Sequence, residues 1–212
     1  MSARIALRCT CGDVHGTATD ISPETVTRLA CMCDDCQAYA HWLGRADEIL
    51  DDYGGTEVVQ LTPAQLQLNG GFEHVRCVRL GPRGLMRWYA GCCKTPVANM
   101  LASPKMPFAG VVHSFIDTEA IDEPLDAVFG PVRARVQGRF APGALPDGGH
   151  RRAPVGLIAR AAWQLLRAWA GRKHRPSPVY DDAGTPLIAP EVLSEATRRA
   201  LRERCGPARA SG

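Results

Sequence analysis

Three cysteines, Cys31, Cys33 and Cys36, fall within a stretch of six residues. A Cys-x-x-Cys turn aims both sulfurs at one point, and a thiol two residues upstream can reach the same point. Three thiolates at about 2.3 Å fill three corners of a zinc tetrahedron, and these soft ligands favour Zn(II), with Cu(I) or an iron–sulfur cluster as alternatives. Three protein ligands plus one exchangeable ligand are typical of catalytic zinc. The spacing therefore predicts a catalytic-type zinc whose fourth position is open.

Other interpretations of these cysteines stay open. His41, five residues after Cys36, or Cys77 could supply the fourth ligand and make the site structural. A Cys-x-x-Cys pair could also be a redox dithiol, although the third thiol and the lack of a βαβ pattern argue against it. Beside an open zinc, His41 is a candidate to move a proton, because histidine titrates near neutrality. Gln37 is a candidate to bind substrate, or to make a supporting hydrogen bond to the site.

A second group combines an early and a late pair of cysteines. Cys9 and Cys11 precede Gly12, and Cys92 and Cys93 are adjacent far along the chain. Sulfurs from two hairpins would join the sheet through a structural zinc, and metal binding would then add to the free energy of folding. Side chains of adjacent residues in an extended chain point to opposite faces. Cys92 and Cys93 can therefore both reach one metal only if the backbone turns there.

The cysteine content also bears on the compartment. Nine cysteines are an odd number, and the N-terminal residues lack the apolar core of a secretory signal. We therefore expect a cytoplasmic protein, where reducing conditions disfavour disulfides and closely spaced cysteines indicate metal binding. We expect about one to two zinc ions per chain. No apolar stretch is long enough to span a bilayer.

Short strands and turns are predicted for most of the first two thirds of the chain. Residues 3–19 alternate like two strands joined by a turn at Gly12-Asp13. Residues 21–30 fit either a helical turn or a strand. Further strands are predicted at 55–61, 73–80, 84–90 and 111–116, with a hairpin turn at 81–84. The pattern predicts a mainly β domain of short antiparallel strands over residues 1–140.

The last third of the chain differs in composition and charge. Residues 141–154 are predicted as a loop or linker, and residues 155–212 as a helical C-terminal extension. Its first helix, 155–169, is predicted to be amphipathic, and its second helix to run from about 190 to 204. The face of the first helix contains Leu157, Ile158, Ala161, Leu165 and Trp169. Residues 151–212 contain twelve basic and five acidic residues, a net charge of +7, against −4 for the rest. Such an extension could bind nucleic acid or anionic lipid, or dock on the acidic body.

The cysteine motifs follow a specific order. Cys-x-Cys-Gly is followed by Cys-x-Cys-x-x-Cys-Gln, and then by an Arg-aromatic-aromatic stretch that ends in Cys-x-Thr-Pro. This order resembles the glutathione-dependent formaldehyde-activating enzyme family, which includes centromere protein V, over about residues 5–116. The resemblance implies a β-tent fold, a catalytic-type zinc on Cys31, Cys33 and Cys36, and a structural zinc on Cys9 and Cys11 with late cysteines. It also implies carbon–sulfur lyase chemistry, in which a glutathione adduct is made or broken.

The late motif departs from the pattern of that family. The family has Arg-x-Phe-Cys-x-x-Cys-Gly, whereas this chain has Ala90 in place of the first cysteine and Lys94 in place of the glycine. Cys93 keeps its place. Cys92 could act as the fourth ligand through a shifted backbone, or the site could have three ligands or none.

These features support two main hypotheses of function. In the first, the protein is a carbon–sulfur lyase-like enzyme that binds glutathione or its adduct at the open zinc, with Arg28, Arg45 or the basic extension near the glutathione carboxylates. In the second, it is a non-enzymatic, zinc-stabilised binding module whose basic helical tail contacts nucleic acid or a protein partner. A cysteine-based redox or metal sensor is a third hypothesis.

Overall fold

The computed structural model describes residues 2–206. In chain order the strands are β1 (Ala3–Arg8), β2 (His15–Ile21), β3 (Thr27–Cys31), β4 (Thr56–Leu61), β5 (Leu66–Gly70), β6 (Val75–Arg79), β7 (Met86–Ala90), β8 (Pro96–Met100), β9 (Ala109–Val112), β10 (Arg135–Val136) and β11 (Glu191–Val192). The α-helices are α1 (Asp34–Leu43), α2 (Ala46–Ile49), α3 (Leu125–Phe129), α4 (Val155–Ala170) and α5 (Glu195–Arg202). Short 3-10 turns connect several of these elements.

Across residues 2–206 the strands form two sheets. The smaller sheet is antiparallel and has the order β1-β2-β5. The larger has the order β10-β3-β4-β9-β8-β7-β6-β11 and is antiparallel except at its two edge pairs, β10/β3 and β11/β6. The prediction of a mainly β protein is therefore confirmed.

Most of these strands were predicted from local sequence patterns. The predicted β1/β2 and β6/β7 hairpins are both present as antiparallel pairs. The ambiguous segment 21–30 ends in β3, which pairs with β4. The prediction of a strand over 111–116 is wrong at its end, because β9 stops at Val112 and a 3-10 turn follows at His113–Phe115. This turn carries Ile116 to a bridge with Leu7 of the smaller sheet.

Apolar side chains pack on both faces of the larger sheet. Because side chains alternate along a strand, Trp88 and Tyr89 of β7 face opposite sides. Trp88 belongs to the main core, which also contains Leu7 and Ile21 from the smaller sheet. Tyr89 belongs to a second cluster that includes Leu43 of α1 and Leu201 of α5. The sheet thus separates two cores, and α1 covers one of them.

The C-terminal part of the chain contributes to the main sheet. The prediction of a single helix from about 190 to 204 is wrong at its start, because β11 lies there and pairs with Val78 and Arg79 of β6. Ser194 then caps α5 by accepting a hydrogen bond from the Thr197 N–H at 3.1 Å. Helix α5 packs against α1 through an ion pair of Arg202 with Asp34. The last six residues of the predicted extension, 207–212, lie outside the described residues.

The first predicted helix of this part is present as α4, but its packing differs from the prediction. Leu157, Ala161 and Leu165 are half-buried, whereas Ile158 and Trp169 are more than half exposed. The predicted apolar face is thus split, because the body covers only one side of the apolar stripe. Within residues 2–206, no helix combines the length and the apolarity that crossing a membrane requires.

Candidate metal centres

Four cysteines from two distant turns meet at one point. Cys9 and Cys11 lie between β1 and β2, and Cys92 and Cys93 lie between β7 and β8. The Sγ–Sγ distances are 3.5 Å for Cys9–Cys11, 3.2 Å for Cys11–Cys92 and 3.8 Å for Cys92–Cys93. All four sulfurs lie within 4.8 Å of one another. Metal–sulfur bonds of about 2.3 Å in a tetrahedron place sulfurs about 3.8 Å apart. The four-cysteine cluster could therefore hold a metal ion.

A backbone turn lets the adjacent cysteines Cys92 and Cys93 join one cluster. The chain turns at residues 91–93, and Lys94 follows with a φ of 61°. The turn is closed by hydrogen bonds from the Lys94 N–H to the Ala90 carbonyl and from the Ala90 N–H to the Thr95 carbonyl, both 2.8 Å. The condition set by the sequence, that the backbone must turn here, is met. Both cysteines belong to the cluster.

Hydrogen bonds from neighbouring groups stabilise the sulfurs of this cluster. The Val14 N–H donates to Cys9 Sγ at 3.2 Å, and Thr95 Oγ1 lies 3.1 Å from Cys93 Sγ. Burial raises the pKa of Cys93, but hydrogen bonds from Thr10, Thr95 and backbone N–H groups outweigh burial and lower that pKa to about 5. The surroundings of Cys93 thus favour a thiolate, which is the form that binds metals, whereas burial raises the pKa of Cys9 and of Cys92.

Three cysteines at the start of α1 form the second cluster. Cys31 ends β3, Cys33 is the N-cap of α1, and Cys36 lies in its first turn. The Cys36 N–H donates to Cys33 Sγ at 3.4 Å. The three sulfurs lie within 4.8 Å of one another, and among residues 2–206 no other histidine, cysteine or carboxylate ligand atom joins them. This three-cysteine cluster could also hold a metal ion, with a coordination position left for another ligand.

A buried arginine lies against the three-cysteine cluster. Arg87 of β7 is 2% exposed, and its guanidinium lies 4.9 Å from the centre of the Tyr39 ring. Its Nη1 donates to Asn99 Oδ1 at 3.2 Å. Hydrogen bonds from Cys31 and Cys33, opposed by burial and aided by the charge of Arg87, hold the pKa of Cys36 well below its usual value. The cluster therefore has a fixed positive charge beside it.

His41 and Cys77, the two candidates to close this cluster, lie apart from it. Neither has a ligand atom in the group formed by Cys31, Cys33 and Cys36. Cys77 is buried in β6, and burial raises its pKa to about 12. His41 lies near the end of α1, where burial and the charge of Arg204 lower its pKa. The three-cysteine cluster is not completed by either residue.

Gln37 directly follows the cluster, and its side-chain amide is bonded to backbone. Its Nε2 donates to the Met32 and Phe140 carbonyls at 2.8 and 2.9 Å, and its Oε1 accepts from the Gly206 N–H at 2.8 Å. The side chain is 3% exposed. Both amide hydrogens are therefore used within the fold, which gives Gln37 a positioning role, and its contact with substrate stays a prediction.

The arginines suggested for the glutathione carboxylates are also engaged elsewhere. Arg28 forms ion pairs with Glu57 and Asp126, each at 2.6 Å. Arg45 donates to Thr10 Oγ1 at 3.0 Å and to the Cys93 carbonyl at 2.7 Å. Arg45 thus connects the end of α1 to the four-cysteine cluster. These bonds of Arg28 and Arg45 go to groups outside the three-cysteine cluster.

Sequence reasoning missed several residues that support the clusters. The roles of Arg87, Thr10 and Thr95 become visible only when the strands are assembled, as does the bond of Arg45 to the four-cysteine cluster, since the sequence suggested Arg45 only for the glutathione carboxylates. One available signal was the charged Arg87 inside the otherwise apolar strand Met86–Ala90, since a buried charge requires a partner. Another was Thr95, two residues after Cys93, because hydroxyls often bond to nearby backbone and thiol groups.

The fold and the clusters together define a mainly β protein with two cysteine clusters, each of which could hold a metal ion. The chain belongs to the family described as "Family of unknown function (DUF6151)", whose model matches residues 1–191. The matched region contains all seven cysteines of the two clusters and extends through α4 into the start of β11. A comparison with curated proteins finds no match.

Proposed function

We propose that this chain is a zinc protein of the β-tent type that binds thiols. Cys9, Cys11, Cys92 and Cys93 hold a structural zinc. The three-cysteine cluster holds a catalytic-type zinc whose fourth ligand is the thiolate of glutathione or of its adduct. The observation that carries the proposal is the difference in ligand number between the clusters, four sulfurs in one and three in the other. The motif order supports membership of the carbon–sulfur lyase-like enzymes it resembles.

The charge of the surroundings supports a thiolate as the exchangeable ligand. Three thiolates on a divalent cation leave one surplus negative charge, and the buried Arg87 offsets it. A fourth thiolate adds another negative charge, which is costly in a buried site without a compensating cation. Arg87 reduces that cost. When bound, zinc keeps a coordinated thiol deprotonated and tunes its ability to attack or to leave.

The chain's own residues then have defined parts in this proposal. Cys31, Cys33 and Cys36 orient the metal at the start of α1, where backbone N–H groups and the helix dipole favour negative charge. Gln37 fixes the position of that helix start through its backbone hydrogen bonds. Asp34 and Asp35 form ion pairs with Arg202, so they hold α5 in place beside the cluster.

A cobalt-substituted protein tests the proposal, because Co(II) reports its thiolate ligands through charge-transfer absorption. Titration with glutathione is expected to strengthen that absorption at the three-cysteine cluster. Cys33→Ser is expected to abolish the response, whereas Cys77→Ser, which changes a cysteine outside both clusters, is expected to keep it. A fully metal-loaded protein whose spectrum ignores glutathione would contradict the proposal.

Turnover requires a separate assay. The family resemblance predicts that the zinc-loaded protein accelerates formation of the adduct between glutathione and formaldehyde, in which a carbon–sulfur bond is made. The rate above the uncatalysed reaction should vanish in Cys33→Ser. Glutathione binding without acceleration would support the thiol site while removing the enzymatic part of the proposal.

A further inference from the structure

Helix α4 presents a continuous apolar face to solvent. Of its residues Val155–Ala170, only Ala168 is buried. The exposed positions recur at helical spacing and therefore share one side of the helix. Gly156 and Arg167 are exposed along one edge of that side, next to Trp163, and the other exposed positions are Val155, Ile158, Ala159, Ala162, Trp163, Leu166, Trp169 and Ala170. This set is called the α4 face below. The exposed fraction reaches 81% for Val155 and 59% for each tryptophan.

The opposite side of α4 is attached to the body by polar contacts. Arg160 Nη2 donates to the Pro23 carbonyl at 2.9 Å, and Arg160 Nε donates to Thr27 Oγ1 at 3.1 Å. Thr27 Oγ1 in turn donates to Gln164 Oε1 at 2.9 Å. These bonds fix the rotation of the helix about its axis. The α4 face therefore points away from the protein because of how the helix is attached, and the exposed charged residue of α4, Arg167, lies along its edge.

The charged residues of α4 and of the segments that flank it along the chain all have one sign, whereas the acidic Asp20 and Glu24 of the body lie on the attached side of the helix, beside Ala161 and Leu165. Residues 148–180 contain six arginines and one lysine and no aspartate or glutamate. Arg152 precedes the helix, and Arg172 and Lys173 follow it, all three exposed. Basic residues beside an exposed face of tryptophan and aliphatic side chains are typical of helices that lie in the surface of an anionic bilayer. Tryptophan favours this interface because its ring is apolar while its N–H can stay hydrated.

We propose that the α4 face docks on a membrane surface that contains anionic phospholipid. The charge pattern favours this occupant over a second copy of the chain, because antiparallel pairing of two α4 helices would bring the basic residues at both ends together. It also favours lipid over nucleic acid, since a nucleic-acid surface places its basic residues on the contact face itself. On α4 the exposed basic residue is Arg167, at the edge of the α4 face, and the apolar side chains of that face gain little from a phosphate backbone.

Vesicle flotation of the full, zinc-loaded chain tests this proposal. We expect binding to vesicles of phosphatidylcholine with phosphatidylserine, weaker binding to phosphatidylcholine alone, and a blue shift of tryptophan emission on binding. The double variant Trp163→Gln/Trp169→Gln should weaken binding at least about tenfold, because it removes two large apolar side chains that the bound helix would bury in the bilayer surface. Leu187→Gln, which changes an exposed side chain outside α4, should bind like the unmodified protein.

The contribution of charge is tested by a second pair of variants. Arg172→Gln/Lys173→Gln should weaken binding to the anionic vesicles about 30-fold, because each basic residue near such a surface contributes about 1 kcal/mol. Arg83→Gln/Lys105→Gln removes the same charge from exposed positions elsewhere and should have little effect.

Three results would overturn the proposal. The first is no binding to either vesicle by folded protein. The second is a dimer in light scattering that the Trp163→Gln/Trp169→Gln variant converts to a monomer. The third is binding to duplex DNA that competes with the vesicles and is insensitive to the tryptophan changes. All these measurements are independent of glutathione, so they separate this proposal from the proposed function.

Discussion

The Sγ atoms of Cys11 and Cys92 lie 3.2 Å apart, although 81 positions separate these residues along the chain. Cys11 belongs to the turn between β1 and β2 of the smaller sheet. Cys92 belongs to the turn between β7 and β8 of the larger sheet. A metal ion held by both would cross-link the two sheets. The three-cysteine cluster, by contrast, lies within one local segment at the start of α1.

This difference predicts separate consequences for the two clusters. Cys11→Ser should lower the free energy of unfolding by several kcal/mol, on the order of a lost structural metal link. Cys33→Ser should remove one metal ion per chain with a smaller effect on stability. Metal content and denaturant unfolding measure both, with Cys205→Ser as the control, since Cys205 lies outside both clusters. Equal losses of stability in the two variants would argue against separate roles.

Arg87→Gln tests the charge placed beside the three-cysteine cluster. We expect the affinity of that cluster for zinc to fall about tenfold to a hundredfold, as is usual when a group supporting the ligands is lost. The four-cysteine cluster should keep its affinity. Competition with a chelating indicator measures the two affinities. Arg83→Gln removes an exposed arginine as the control. An unchanged affinity of the three-cysteine cluster in folded Arg87→Gln would contradict this role.

Gln37→Ala tests whether this residue positions the fold or binds substrate. The change leaves two carbonyls and one N–H without their partner, so we expect a loss of about 2–4 kcal/mol in the free energy of unfolding. Glutathione affinity should stay unchanged in the folded fraction. Gln67→Ala, at an exposed position of β5, should cost little. A variant with full stability but weakened glutathione binding would restore the substrate-binding interpretation.

The free energy of unfolding should fall at high pH because of Cys77. Its pKa is raised from 9.0 to about 12 by burial, so the folded state favours the neutral thiol. This contribution to stability is fully present below about pH 9 and is lost as the pH rises toward about 12. Between about pH 8 and about pH 10.5, the loss should be on the order of 2 kcal/mol. Cys77→Val should lose correspondingly less over the same range in denaturant unfolding. An equal loss in both proteins would contradict this assignment.

Local spacing was sufficient to predict the three-cysteine cluster and half of the four-cysteine cluster. Cys31, Cys33 and Cys36 lie on one short segment, so their convergence depends only on a strand end and a helix start. The Cys9/Cys11 pair indicated half of a second cluster. The adjacency of Cys92 and Cys93 correctly predicted that the backbone must turn at these residues for both to join it. Hairpins with Gly or Pro turns were likewise predictable, because their geometry is set by adjacent residues.

Features that depend on distant contacts could not be predicted. The position of Arg87 against Cys36 requires β7 and α1 to pack, and alternation along β7 does not show what lies opposite. The strand Glu191–Val192 has no sequence pattern that predicts it, and it forms because the edge of β6 is available for pairing. Helical periodicity identified the apolar stripe of α4, but it could not show that Ile158 and Trp169 would be left uncovered.

We expect the two clusters to bind zinc with different numbers of protein sulfurs. X-ray absorption at the zinc edge measures the mean number of sulfur ligands directly. Two loaded clusters with four and three protein sulfurs predict a mean of about 3.5, rising to about 4 when glutathione is added. A reduced, folded protein without zinc would contradict the account, as would a mean of about 4 before glutathione that does not change afterwards.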